Sequence, residues 1–121
     1  MYFYKLDSNI LFSKNKLNGM MEIVPNTVEA SKEKHIPVVN INENTVEVTI
    51  GSVIHPMEEK HYIEFIVLET NKGVYQQFLM PNDEPKAHFE IQNENVIGVY
   101  EYCNIPVSYT HLRAHETLAN L

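Results

Sequence analysis

The stretch from Tyr62 to Leu68 is the feature that most constrains how this chain can fold. Its residues are nearly all apolar, with Glu64 as the one charged side chain. A short apolar run of this kind, followed by turn residues, is typical of a central β-strand. It is far shorter than the roughly 20 apolar residues of a membrane span. The core of the protein is therefore predicted to be built around a β-strand at this position.

Five further stretches carry strand patterns, and short turns separate them. In the clearest one, Val46, Val48 and Ile50 alternate with polar residues, which is the period of a half-buried strand. Gly73 provides a residue that tolerates positive φ in a predicted hairpin turn. At 121 residues the chain is predicted to form one domain, an all-β antiparallel β-sandwich. The predicted strands are residues 36–41, 46–51, 62–68, 74–80, 87–91 and 96–102.

Charge and cysteine content exclude several functional classes. The net charge of −7 argues against binding to nucleic acid or to anionic membranes. The residues after Met1 lack the apolar stretch and cleavage site of a signal peptide, so we expect a cytoplasmic protein. Cys103 is the one cysteine, which excludes an internal disulfide and any four-cysteine metal centre. A lone cysteine is usually a small buried hydrophobe unless histidines gather near it.

Two histidines lie at the ends of one loop between two predicted strands. His55 and His61 are separated by a proline, a methionine and three charged residues. Side chains placed in this way can converge on one point, and imidazole is the commonest metal ligand near neutral pH. A metal site is one interpretation of this loop. The other is a polar hairpin loop whose histidines face water, and the loop alone leaves both open.

Four segments together carry a resemblance to a known family. They are Ile23–Val39, Gly51–Met57, the segment that begins at His61, and Tyr100–Asn104. In order and spacing they resemble the desulfoferrodoxin/neelaredoxin superoxide reductases over about residues 20–105. The resemblance implies an immunoglobulin-like β-sandwich that holds one iron ion between four histidines and an axial cysteine thiolate. Matched motif by motif, it assigns the metal ligands to His35, His55, His61 and Cys103.

The same resemblance implies an enzyme that reduces superoxide to hydrogen peroxide with one electron from Fe²⁺ and two protons. Glu33 and Lys34 match the Glu-Lys pair beside the open sixth position of the iron. Lys34 would steer the superoxide anion and its bound water could supply protons, whereas Glu33 could occupy the sixth position of the oxidised iron. The family also implies a rubredoxin-like electron donor. A homo-oligomer is left open.

The sequence departs from the family at both ends. Longer members begin with a four-cysteine iron domain, so residues 1–22 are predicted to be a remnant without that site, followed by an iron domain over residues 23–105. The family motif Cys-Asn-x-His-Gly contains the fourth histidine, where this chain has Pro106. Residues 106–121 resemble adapter read-through at the ends of unrelated translated metagenomic fragments, and we expect a non-native tail. Its composition favours a helix, on which His111 and His115 would share one face.

Two alternatives without catalysis use the same residues. A structural zinc site could be formed by three imidazoles and a thiolate, a ligand set that zinc accepts. An electron-transfer copper site could use Met57, although no methionine follows Cys103 as blue-copper sites usually require. His88 alternates with Ala87 and Phe89 and is predicted to face solvent rather than to bind a metal.

Overall fold

The computed structural model describes residues 1–24, 36–51 and 55–104, and the backbone of His111–Ala114. These residues form ten strands in three antiparallel sheets. Described in chain order, the strands are β1 (Tyr2–Leu6), β2 (Asn9–Ser13), β3 (Met21–Ile23), β4 (Pro37–Asn42), β5 (Thr45–Ile50), β6 (Ile63–Thr70), β7 (Val74–Phe78), β8 (Lys86–Glu90), β9 (Val96–Cys103) and β10 (His111–Ala114).

The β-sandwich consists of a three-stranded sheet, β4-β5-β8, and a four-stranded sheet, β10-β9-β6-β7. Strand β5 has the alternation that its sequence predicts. Val46, Val48 and Ile50 are all buried, while Glu47 is exposed. Ile66 and Leu68 on β6 meet these side chains in one apolar core cluster. Burial of each such side chain contributes about 1.5–3 kcal/mol, so this cluster is the main source of stability.

The third sheet, β2-β1-β3, covers the outer face of the four-stranded sheet. Phe3 is fully buried there and packs with Phe65, Val67 and Tyr102. Strand β6 is consequently covered on both faces, which accounts for its nearly continuous apolar sequence. This outer layer was not predicted from the sequence, where residues 1–32 showed no clear periodicity.

Backbone turns at the two ends of the sandwich fix the loops. Gly51 has a φ of 83° at the exit from β5, a conformation that glycine adopts without strain, and its N–H donates to the carbonyl of Ile36 at 2.9 Å. At the opposite end, the predicted turn at residues 71–73 joins β6 to β7. There the hydroxyls of Thr70 and Tyr75 donate to the Glu94 carboxylate at 2.7 and 2.6 Å.

The all-β fold and all six predicted strands are confirmed, with ends that differ by one or two residues. The prediction of a helical tail is wrong at the described residues, because His111–Ala114 forms β10 and pairs antiparallel with β9. Pairing with the edge of β9 gives hydrogen-bond partners to the backbone N–H and C=O groups along that edge. This gain outweighs the local preference for helix. His111 therefore lies on a strand, and His115 lies outside the described residues. In the described part of the chain no helix could cross a membrane.

Candidate metal centre

His61 is held by a tight turn at the start of β6. The backbone N–H of Glu58 donates to the carbonyl of His61 at 2.9 Å, and the backbone N–H of His61 donates to the carbonyl of Glu58 at 3.0 Å. The sulfur of Met57 accepts a hydrogen bond from the N–H of Ile63 at 3.4 Å. These bonds close the loop onto the first residues of β6, so the imidazole of His61 is presented from a fixed backbone.

His55 is buried, with 1% of its surface exposed, and its ring orientation is set by the next residue. Its Nδ1 lies 2.6 Å from the carbonyl oxygen of Pro56. Because a carbonyl oxygen can only accept, Nδ1 carries the proton and donates it. The other nitrogen, Nε2, is then an acceptor, and it lies 3.3 Å from the sulfur of Cys103. Metal-binding histidines commonly have this arrangement, in which one nitrogen binds the backbone and the other is available as a ligand.

Cys103 reaches the same point from the end of β9. The β6–β9 ladder pairs Cys103 with Ile63, two residues beyond His61. Asn104 then locks the end of the ladder, because its side-chain oxygen accepts from the N–H of Tyr62 at 2.7 Å and its own N–H donates to the carbonyl of Tyr62 at 3.1 Å. Strand pairing and this amide clamp therefore place the thiol beside the two histidines.

The three side chains converge closely enough to share one ion. One nitrogen from each of His55 and His61 and the sulfur of Cys103 all lie within 4.8 Å of one another. The sulfur is 3.3 Å from Nε2 of His55, and the two imidazole rings are 4.8 Å apart and nearly perpendicular. Ligands on one metal, with bonds of about 2.1 Å to nitrogen and 2.3 Å to sulfur, lie roughly 3.1–3.6 Å apart. The donor set suits a transition metal, and the distance between the Cys103 sulfur and Nε2 of His55 already lies in this range.

The electrostatic surroundings keep the thiol neutral when no cation is near. Burial raises the pKa of the Cys103 thiol far above its usual range, and the negative charges of Glu101 and Glu64 raise it further. Glu101 is itself fully buried, on the same inward face of β9 as Cys103. A divalent cation reverses this balance, because a thiol that coordinates a metal loses its proton.

The structure brings together three of the six residues that were predicted to form the site, His55, His61 and Cys103. The other three, Glu33, Lys34 and His35, lie outside the described residues, as does Pro106. Of the two interpretations of the loop, solvent-facing histidines are excluded for His55, which is buried. His88 does face solvent, as predicted, and its Nδ1 contacts Glu47 on the neighbouring strand.

Sequence reasoning did not identify the residues that support the three donors. The amide clamp joins Asn104 to Tyr62, about 40 residues earlier in the chain. The Met57 sulfur contacts the backbone of Ile63, six residues later. Both contacts depend on how these segments pair in the fold. Burial of Glu101 could have been predicted, since it lies two residues from both Val99 and Cys103 on β9. The period of a strand places these three side chains on the same face.

Comparison with known proteins agrees with this geometry. The family model described as desulfoferrodoxin matches residues 27–106, which include all three converging donors. The chain belongs to the desulfoferrodoxin family. The resemblance that the four sequence segments indicated is thereby confirmed.

Curated desulfoferrodoxins of three bacteria show the extent of the match. The chain is 48% identical over 79 residues to that of Nitratidesulfovibrio vulgaris, 48% over 80 residues to that of Syntrophotalea carbinolica and 49% over 80 residues to that of Desulfarculus baarsii. Each alignment covers 65–66% of this chain and 62–63% of the relative. The desulfoferrodoxin match therefore spans somewhat less than two-thirds of each of these proteins.

Two solved structures share the fold. The superoxide reductase from Treponema pallidum superimposes with a TM-score of 0.73 at 30% identity, over 94% of this chain and 84% of that one. The superoxide reductase from Giardia intestinalis gives a TM-score of 0.51 at 28% identity, over 70% of this chain and 99% of that one. The desulfoferrodoxin chain thus has the immunoglobulin-like β-sandwich of these proteins, as predicted.

The state of the Cys103 thiol yields a direct prediction. In the metal-free folded chain we expect iodoacetamide to alkylate Cys103 far more slowly than in the urea-unfolded chain, because the thiol is buried and its pKa is raised. The unfolded chain should show a rate that rises with pH through about 8.5. The folded chain should show no such rise below pH 9. Equal rates and equal pH profiles for the two states, measured by mass spectrometry, would mean that the thiol is exposed.

Proposed function

We propose that this chain is a superoxide reductase whose mononuclear iron is bound by His35, His55, His61 and Cys103. The observation that supports this best is the convergence of two imidazoles and one buried thiol at one end of the sandwich. It occurs in a chain of the desulfoferrodoxin family whose fold is shared with a superoxide reductase at 30% identity. When bound, ferrous iron would supply the electron that reduces superoxide to hydrogen peroxide.

The residues around the iron would set its charge and access. His55 would bind the iron through Nε2 because its Nδ1 is engaged by the carbonyl of Pro56, and neutral imidazoles would leave the charge of the cation unchanged. Cys103 would give up its proton on holding the iron and would reduce the net charge of the site to about +1, which would still attract an anion. Cys103 is fully buried, so its thiolate would be shielded from water when it holds the iron. Thiolate donation from that side would tune the potential of the iron.

Lys34 and Glu33 are proposed to act on the outer side. The protein carries a net charge of −7, so a superoxide anion is repelled at long range and needs a local cation. Lys34 precedes the proposed ligand His35 and would provide that charge, while a water molecule on its ammonium group could donate protons. Glu33 would supply a carboxylate that could bind the iron in its oxidised state. We propose a rubredoxin-like electron donor and a place of action in the cytoplasm.

The proposed iron site of this chain has one ligand fewer than the family motifs provide. Pro106 stands where the family motif has its fourth histidine, and proline has no side-chain donor. Three imidazoles and a thiolate also satisfy tetrahedral zinc. We therefore propose that residues 106–121 are not native to this domain and that this chain selects iron over zinc poorly.

Iron binding in three versions of the chain tests the proposed function. We expect weak iron binding in the chain as written, partial recovery in Pro106→His, and full recovery when residues 106–121 are replaced by a His-Gly ending of the family type. Recovery by the single substitution is partial because supporting residues orient a ligand. The measurements are metal content and the visible thiolate-to-iron absorption band.

Two outcomes of that comparison would contradict the proposal. If the chain as written already holds one iron with the full band and reduces superoxide, the missing ligand is not needed. If the restored chain takes up zinc but no iron, and reduces no superoxide, the domain is a structural zinc protein. Cys103→Ser serves as the matched control and should lose the band in every version.

Lys34 gives a second prediction for the restored chain. Lys34→Ala should slow the second-order capture of superoxide roughly tenfold and should flatten its dependence on salt, because electrostatic steering is screened by ions. Pulse radiolysis at several ionic strengths measures both. Lys60→Ala, which removes an equal charge from the His55–His61 loop, is the control and should have the smaller effect. An unchanged rate in Lys34→Ala would rule out the steering role.

A further inference from the structure

Met57 brings a thioether to the same end of the core as the candidate metal centre. It lies in the loop between His55 and His61, and its side chain is half-buried. That side chain packs against the apolar core cluster to which Cys103 belongs. Two of the three converging donors therefore flank Met57 in the loop, and the third lies in the cluster on which it packs.

Both polar atoms of Met57 hold this loop in place. Its sulfur accepts a hydrogen bond from the backbone N–H of Ile63 at 3.4 Å, and its carbonyl accepts one from the N–H of Asn82 at 2.8 Å. Ile63 lies two residues beyond His61 and is opposite Cys103 in the β6–β9 ladder. The position of His61 relative to Cys103 is therefore supported in part by a lone pair of the Met57 sulfur.

Oxidation of this sulfur would disturb the support. A methionine sulfoxide is polar and carries an additional oxygen, and such a group disrupts apolar packing. At Met57 the oxygen would lie either between the sulfur and the N–H of Ile63 or against the apolar core cluster. The hydrogen bond from Asn82 to the Met57 carbonyl opposes withdrawal of the residue. We therefore expect the turn that holds His61 to move instead.

Hydrogen peroxide is an oxidant that can reach Met57. It is neutral, so the net charge of −7 does not repel it. Met21 and Met80 are 69% and 65% exposed, and they should react first with peroxide that arrives from solvent. Half-buried Met57 gains an advantage when peroxide forms close to it, and the proposed reaction forms peroxide at the metal centre.

We propose that Met57 is a site of oxidation by hydrogen peroxide and that its sulfoxide weakens metal binding by His55, His61 and Cys103. The thioether sulfur attacks one peroxide oxygen, the O–O bond breaks and an S–O bond forms. The second oxygen leaves as water, with the proton of the transferred oxygen. Sulfur is oxidised by two electrons and peroxide is reduced by two. The metal centre as the source of the peroxide rests on the proposed function, whereas the effect of the sulfoxide does not.

The effect of the sulfoxide is tested on the full chain with Zn²⁺, which has no redox chemistry of its own. The metal-free chain is treated with hydrogen peroxide, and its Zn²⁺ affinity is measured before and after by competition with a chelating dye. The affinity should fall about tenfold, in proportion to the Met57 sulfoxide found by peptide mass spectrometry, because a partner that orients a ligand is lost. Met80→Leu should behave like the parent chain. Met57→Leu, which retains Cys103 and so controls for oxidation of the thiol, should keep its starting affinity.

Three results would overturn this effect. One is an unchanged Zn²⁺ affinity in parent chain whose Met57 is fully oxidised, and another is an equal loss of affinity in Met57→Leu. The third comes from NMR of the oxidised chain. The backbone amides of His61 and Ile63 should shift, while those of Thr70 and Glu94, at the opposite end of the sandwich, should stay in place. Loss of the folded spectrum as a whole would show general unfolding rather than movement of one turn.

The source of the peroxide is tested separately on iron-loaded restored chain that is supplied with superoxide in the presence of catalase. Catalase removes peroxide that reaches the solvent, so Met21 and Met80 should stay reduced while Met57 sulfoxide still forms. Equal protection of Met57 and Met80 by catalase would show that peroxide formed at the centre is not the oxidant. A chain that holds no iron or reduces no superoxide would contradict the proposed function and leave the Zn²⁺ result standing.

Discussion

The pairing of β6 with β9 is the interaction on which the candidate centre depends. These strands lie side by side in the four-stranded sheet, and their ladder places Cys103 opposite Ile63. The residues at this end of the ladder come from segments about 40 positions apart in sequence. Without the ladder, the thiol and the His55–His61 loop would be independent parts of the chain. A one-residue slip of β9 would turn Cys103 from the core face to the opposite face of the sheet, so the register of this ladder fixes the position of the thiol.

Burial of the donors has a cost that a bound cation offsets. Cys103, Glu101 and the ring of His55 are removed from water at one end of the core, where a neutral thiol is favoured. A divalent ion would supply positive charge beside the buried Cys103 and Glu101, and deprotonation of the thiol would make the bond strong. Metal binding and folding of this end of the sandwich should therefore support each other. The same burial gives the thiolate an environment that water does not screen.

The sequence was sufficient for the central part of the fold and insufficient for its ends. Strands such as β5 follow the period of two closely, because one face of β5 packs on the core and the other is wet. The sequence of strand β1 shows no alternation of apolar and polar residues. Phe3 and Tyr4 are adjacent and both fully buried, one on each face of the sheet. The continuous apolar run in β6 was itself the sign that a layer must cover its outer face. In the tail, the local preference for helix led to a wrong prediction, because His111–Ala114 pairs as a strand with the edge of β9.

Three of the predicted donors meet in the structure, whereas the residues that support them were not predicted. Spacing of His55 and His61 around one loop indicated convergence, and family motifs added Cys103, which the structure brings to the same point. The hydrogen bonds from Asn104 and to Pro56 could not be predicted, because they depend on the conformation of the loop rather than on residue type. Hydrogen-bonding partners of this kind decide which nitrogen of an imidazole faces a metal.

X-ray absorption at the iron edge, measured on the iron-loaded chain in which the His-Gly ending replaces residues 106–121, tests most directly whether His55, His61 and Cys103 bind one iron. We expect one sulfur neighbour at about 2.3 Å together with nitrogen neighbours near 2.1 Å and the outer-shell scattering of imidazole rings. In Cys103→Ser the sulfur neighbour should vanish, and in His61→Ala the imidazole scattering should fall while the sulfur remains. A spectrum without sulfur in the parent chain, or one that neither substitution changes, would contradict a shared site for the three residues.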